Sequence, residues 1–283
     1  MSNSILILDT SALCWAARYS MGGLSYRGQP TGIVFGVLSR TMKLCQQFDT
    51  GRVVFAWDSR ESKRREVYPE YKANRRVKEG DEDEVTSTRK QMRILMKEVS
   101  WMGFRNSFLL RGYEADDVVA WLVTTYVDAD WVIASSDNDL YQLLEGGRVK
   151  MCLISKNNRL YTAADFERQW GVKPSFWPNV KAIAGCSGDN VRGVRGVGER
   201  TAVKFLKREL KDSSKKHRDI VEGTDTVRTN WPLVKLPYVK MIEEEDLPEL
   251  REDRLTWQKC SAVFRQYGFE SLLAGGWREV FNL

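Results

Sequence analysis

The sequence predicts an α/β fold, a mostly parallel sheet flanked by helices, and three observations carry that prediction. Three short apolar runs, residues 5–8, 53–57 and 131–134, are each followed within a few positions by an aspartate. Continuous apolar runs of this length belong to strands buried on both faces. The stretches between them repeat apolar residues at helical spacing, and strand, helix, strand, helix, strand is the order of a doubly wound domain. After Lys173 and Pro174, and again Trp177 and Pro178, the β-rich runs stop and helical patterns continue. The chain therefore divides into an α/β domain at 1–175 and a helical domain at 176–283, a division that 283 residues accommodate.

Each element has its own reason. From Gly32 to Phe48, the residues Val34, Leu38, Thr41, Met42 and Cys45 recur on one helical face. Residues 60–78 break the rhythm with Arg60, Lys63, Arg64, Arg65, Lys72, Arg75, Arg76 and Lys78, and an acidic run over 79–84 follows. The segment 60–100 is longer than a crossover requires and reads as a helical excursion standing off the sheet. A further helix begins near Glu114, with Ala115, Val118, Val119, Leu122 and Tyr126 on one face. Gly193, Gly196 and Gly198 form a glycine turn entering a helix, where backbone N–H groups and the helix start can hold a phosphate; a plain turn between helices has the same pattern.

Composition excludes several classes. Hydrophobic residues at 42% suffice for a sizeable core and exclude disorder. The first residues have no basic leader, and no apolar run approaches the roughly 20 residues of a spanning helix. The expectation is a cytoplasmic protein without signal peptide or membrane anchor. Five dispersed cysteines (Cys14, Cys45, Cys152, Cys186, Cys260) and the lone His217 give no zinc spacing and no disulfide framework. No nucleotide-hydrolysing P-loop occurs. A net charge of +6 fits a polyanionic partner.

The carboxylates carry the chemistry. In an open parallel sheet ligands bind beyond the carboxyl ends of the strands, and three runs deliver Asp9, Asp58 and Asp137 there. Glu114, Asp116 and Asp117 open a helix, a pattern that capping also explains. Asp139 and Asp189 sit in turn-forming stretches. Eight acids at one edge repel one another, and the usual remedy is a bound cation. With no histidine or thiol pair at hand, an all-oxygen site calls for Mg²⁺, with Mn²⁺ as substitute. Lys and Arg number 44 against 38 acids, so gathering eight acids in one place leaves the remaining surface strongly basic. An acidic metal pocket in a basic surface is what metal-assisted phosphodiester cleavage requires.

Taken in order, these elements resemble the 5′ nuclease family, which includes flap endonucleases, the 5′ nuclease domain of bacterial DNA polymerase I, and phage 5′ to 3′ exonucleases with ribonuclease H activity. The matching stretches are Asp9; Phe55 to Asp58; Tyr68 to Arg75; Gly112 to Asp117; Ser136 to Asp139; and Gly188 to Asn190 running into Gly193–Gly198. The resemblance implies a first metal site of Asp9, Asp58, Glu114, Asp116 and Asp117 and a second of Asp137, Asp139 and Asp189. It implies that residues 60–100 form a helical arch, with Lys72 and Arg75 on the scissile phosphate and, together with Asp116 and Asp117, catalytic. Arg64, Arg65, Tyr71 and Arg76 would meet DNA from the arch, either Arg64 or Arg65 matching the family's arch arginine, with core packing an equal alternative for Tyr71. Gly193, Arg195, Gly196, Gly198 and Lys204 would grip duplex backbone from a helix-three-turn-helix motif, where K⁺ can sit on the carbonyls of the 185–198 turn.

The family commonly has Asp-x-x-Asp where this chain has Cys186-Ser-Gly-Asp189, so a second-site carboxylate is missing and the second ion is expected to bind weakly. The implied activity is hydrolysis of DNA, and of RNA–DNA hybrids, at 5′ ends, flaps or junctions during primer removal, beside replication proteins in a bacterial or phage-infected cell; the sequence is silent on oligomeric state, and a monomer is the default. The alternatives are a junction-binding scaffold silenced at Cys186 and a PIN-like ribonuclease.

Overall fold

The computed structural model describes residues 4–75, 80–238 and 247–283. β1 (Ile5–Asp9) runs straight into α1 (Thr10–Met21). A hairpin of β2 (Ser25–Tyr26) and β3 (Gln29–Pro30) precedes α2 (Gly32–Phe48), and β4 (Val53–Trp57), α3 (Lys63–Val67), α4 (Glu82–Met102), β5 (Ser107–Leu109), α5 (Ala115–Thr125) and β6 (Trp131–Ser135) follow. A short 3₁₀ turn (Asn138–Leu143), β7 (Val149–Leu153), β8 (Arg159–Tyr161) and α6 (Ala163–Trp170) complete the α/β part.

The six-stranded sheet has the order β5-β4-β1-β6-β7-β8 and is parallel except for β8 against β7. The chain winds outward from β1 in both directions, so the carboxyl ends of β1, β4 and β6 meet at the centre. Strand alternation builds two cores. Ile5, Ile7, Val54 and Ala56 face one layer with α5; Leu6, Leu8, Val53, Phe55 and Trp57 face the other with α1 and α2. Burial of such side chains stabilises by about 1.5–3 kcal/mol each before entropy is charged against it.

The excursion over 60–100 takes a different form from the one expected. Among the described residues of this segment, α3 and the turn after it stand above the sheet edge. In α4 the residues Val85, Thr88, Gln91, Leu95, Val99 and Met102 recur at helical spacing and are buried, so this helix lies against α1, α2 and the later helix α11 (Trp257–Tyr267) instead of arching away. Arg18 of α1 anchors its start through Glu84 at 2.7 Å and Asp81 at 3.2 Å.

The C-terminal part also divides differently. α7 (Trp177–Ala184), the strand pair β9 (Gly185–Cys186) and β10 (Val191–Arg192), α8 (Glu199–Leu206), α9 (Lys215–Glu222) and α10 (Thr224–Val234) form the helical region. α11 (Trp257–Tyr267), α12 (Glu270–Ala274) and α13 (Trp277–Phe281) instead return to the α/β core. There Trp277 packs edge-on against Phe104 and Phe264, and Arg254 donates its amide to Gly103 at 2.8 Å. Gly103 has φ 114°, and a Cβ there would meet the Arg254 carbonyl at 2.1 Å, so the approach requires glycine. Among the described residues no helix is long and apolar enough to cross a membrane.

Candidate active site

The site begins with three strand ends. Asp9 closes β1, caps α1 by accepting from the Ala12 amide at 3.1 Å, and accepts from Ser135 Oγ at 2.9 Å. Asp58 follows β4; its amide donates to Ser11 Oγ and its Oδ1 accepts from the Ala115 amide, each at 2.9 Å. Asp137 follows β6 and caps the next turn by accepting from the Asp139 amide at 2.8 Å. Backbone bonds thus aim each carboxylate at the same edge.

The start of α5 supplies the second tier. Glu114 is its N-cap and Asp117 its third residue, and each side chain serves the other's backbone as a capping box. Glu114 is ion-paired with Lys72 and accepts from the Tyr71 hydroxyl at 2.8 Å. Asp116, between them in sequence, has a buried Oδ1 with no hydrogen-bond partner. Burial, aided by Asp117 and Glu114, drives its carboxyl well above the usual range. Burial and the charge of Asp58 likewise push Asp9 up to about 7, and burial with Asp139 pushes Asp137 up to about 6. Glu114 moves the other way: burial alone would raise it, but Lys72 and Arg64 hold it below the ordinary glutamate value. A buried carboxylate oxygen without a donor, among carboxylates that resist ionising together, is a donor set that fits a hard divalent cation.

The structure brings Asp9, Asp58, Glu114, Asp116, Asp137, Asp139 and Asp189 to this edge with Lys72 and Arg75 above them. Arg75 reaches Asp189 at 2.7 Å, and Lys72 lies 3.6 Å from the same carboxylate. Asp117 is differently placed. Its Oδ1 accepts from Arg64 Nη2 and the Tyr238 amide, and its Oδ2 from Arg64 Nη1 and the Glu114 amide, at 2.6–3.1 Å. All four of its lone pairs are engaged, which leaves none for a cation.

Two expected DNA contacts are corrected. Arg64 is 2% exposed, donates to the Leu233 carbonyl at 3.0 Å, and stacks on Tyr238, so it faces the protein and not a nucleic acid. Tyr71 is equally buried, against Ala182, Cys186 and Leu233, so its ring is not open to a base. Arg65 is exposed and donates to the Tyr71 carbonyl at 2.9 Å. Arg76 lies outside the described residues.

Gly193, Arg195, Gly196 and Gly198 line a concavity of about 520 Å³ between α7 and α8, with Lys204 exposed on α8 beside it. A Cβ at Gly193 would meet the Ala184 carbonyl at 2.2 Å, so close passage of two backbones dictates this glycine. Sequence reasoning missed Lys181. It is 5% exposed on α7 and holds Asp139 Oδ1 at 3.0 Å, Asn138 Oδ1 at 3.2 Å and Glu199 at 3.2 Å. Its place among Val180, Ala182 and Ile183 was the available signal of a buried, paired lysine.

Comparison with known proteins places this geometry. Residues 4–171 match the family described as 5′-3′ exonuclease, N-terminal resolvase-like domain. A 5′-3′ exonuclease of Bacillus subtilis (strain 168) is 30% identical over 216 residues, 73% of this chain and 70% of that one. One of Aquifex aeolicus (strain VF5) is 29% identical and covers 88% of each chain. The chain spans 32% of the thermostable DNA polymerase I of Thermus aquaticus, at 27% identity. A structure of T5 5′-exonuclease with divalent metal ions (zinc) bound superposes with a TM-score of 0.72 at 21% identity, covering 83% of this chain and 90% of that one.

Proposed function

The chain belongs to the 5′-3′ exonuclease family and is a 5′ nuclease, and from that premise we propose that it hydrolyses DNA phosphodiesters with a divalent cation, Mg²⁺ in the cell, at 5′ ends, flaps and junctions. The observation that carries this reading is the gathering of Asp9, Asp58, Glu114 and Asp116 at one sheet edge, where Asp116 keeps a buried oxygen without a hydrogen-bond partner, beside the cations Lys72 and Arg75. A cation held there supplies Lewis-acid stabilisation of phosphoryl charge and an activated water. The chain's own groups do the rest. Lys72 and Arg75 neutralise the phosphate's other oxygens, Ser135 and the Ala115 amide orient Asp9 and Asp58, and Arg64 with Asp117 holds the start of α5 in place.

The glycine turn between α7 and α8, with Arg195 and Lys204, serves as the duplex grip in the manner of a helix-three-turn-helix motif, with K⁺ as the ion its backbone would take. Action on RNA–DNA hybrids and a part in primer removal belong to the same proposal. The test is product analysis of a 5′-labelled flap duplex in Mg²⁺, in Mn²⁺ and in chelator, beside Asp116→Ala. Metal-dependent release of short 5′ products, lost in the variant, is expected. Tight junction binding without cleavage in either metal would replace the nuclease with a scaffold, and cleavage of unstructured RNA alone would replace it with a ribonuclease.

A further inference from the structure

Beside the hard-oxygen group lies a second donor set with different chemistry. Asp139, Cys186 and Asp189 each offer one ligand atom, and these three atoms lie within 4.8 Å of one another. The Cys186 thiol donates to Asp139 Oδ2 at 3.1 Å, so the S–H proton sits between two of the three donors. Lys181 pins the other Asp139 oxygen at 3.0 Å and is itself fixed by Glu199 and Asn138, which keeps Oδ2 turned toward the sulfur. The strand pairing of Cys186 with Val191 holds the thiol's backbone, and Asp189 lies in the turn between them.

We propose that these residues form a site for a thiophilic divalent cation, of the Zn²⁺, Co²⁺ or Cd²⁺ class, in preference to Mg²⁺. Mg²⁺ requires hard oxygens in near-octahedral order and gives up water reluctantly, whereas thiolate sulfur selects softer ions. On occupation the Cys186 S–H bond breaks, its proton passes to solvent, and an S–metal bond forms, with one oxygen each from Asp139 and Asp189 as the remaining protein donors. Two carboxylates and a thiolate are then balanced by the divalent ion together with the Lys181 ammonium. The proposal departs from the expectation drawn from cysteine spacing, because Asp139 and Cys186 are distant in sequence and meet through the packing of α7 on the Asn138–Leu143 turn. The cation would also claim Asp189, to which Arg75 is now bound, and so would loosen a contact of the proposed phosphate-binding pair. To that extent the inference rests on the nuclease reading.

The experiment is a titration of the full, metal-stripped chain with Co²⁺ and with Cd²⁺, followed by the sulfur-to-metal charge-transfer absorption, in wild type, Cys186→Ser and Cys186→Asp. A band that saturates at one equivalent, survives a large excess of Mg²⁺ and is lost in both variants is expected. No band in wild type, or a band that persists in either folded variant, overturns the proposal. Cleavage of the flap duplex in Mg²⁺ is read separately on wild type. Cleavage without the band sinks the thiolate site alone, and the band without cleavage sinks the nuclease reading while the site stands.

Discussion

Arg64 grips Asp117 with both prongs of its guanidinium, Nη1 at 2.6 Å from Oδ2 and Nη2 at 2.8 Å from Oδ1, in a spot where Asp117 has no solvent exposure. The pair joins α3, the start of α5 and the segment after α10. Removing one partner strands a buried charge, so Arg64→Met is expected to cost about 3–5 kcal/mol, and Arg64→Met with Asp117→Leu less than that. Urea melts of the two variants check the ordering. Equal losses would mean that the pair contributes no more than its packing.

Asp116 sits where a charge is disfavoured in the absence of a cation, because burial and its acidic neighbours raise its pKa. An acid whose folded pKa lies above its unfolded value loses stability as pH rises past the unfolded value. In chelator at neutral pH, Asp116→Asn is therefore expected to melt higher than wild type. A gain of about 1 kcal/mol corresponds to roughly 2–4 °C in a chain of this size. The gain should shrink as pH falls through the unfolded carboxyl's value of about 3.9 and vanish well below it, where the wild-type carboxyl is protonated in both states. Cleavage should be lost in the same variant, and a variant that melts lower at both pH values would contradict the account.

Lys72 is 16% exposed in its side chain and Arg75 is 56% exposed, so they should fail in different ways. Lys72→Ala removes a cation from the dry part of the cleft and is expected to lower kcat by about 10²–10³. Arg75→Ala removes a wetter phosphate contact, which should raise KM and reduce the salt slope of binding by about one. Steady-state kinetics at several salt concentrations separate the two, and identical profiles would be the contrary result.

Trp277 is fully buried against Phe104, Phe264 and Phe281, far along the chain from the acids. Trp277→Ala is expected to cost about 3–5 kcal/mol while leaving kcat of the folded fraction unchanged at low temperature. A large fall in kcat with normal melting would show that α13 is coupled to the site.

The strands were legible because both faces of a central parallel strand are buried, and Ile5 to Leu8 or Val53 to Trp57 then read as unbroken apolar runs. The convergence of Asp9, Asp58 and Asp137 followed from that, since parallel strands end at one edge. What was not legible required knowing which neighbour a side chain meets. Nothing in the basic run 60–75 separates Arg64, which is buried on Asp117, from Arg65, whose guanidinium stays at the surface. In α4 the apolar stripe is present, but charged residues in its first turns disguise a packed helix as an exposed one. Lys181 and Cys186 join the site only because α7 docks on the turn after β6. The return of α11–α13 depends on a backbone contact at Gly103 that no local pattern encodes.

The Lys72–Glu114 contact makes this lysine a tethered competitor for the cation the acids would hold. A side chain anchored nearby acts at an effective concentration on the order of millimolar, so an incoming ion must outbid a resident one. Metal loading and lysine release become two halves of one exchange reaction. On the proposed roles, the charge that would meet the phosphate is paired with Glu114 until a cation takes that carboxylate.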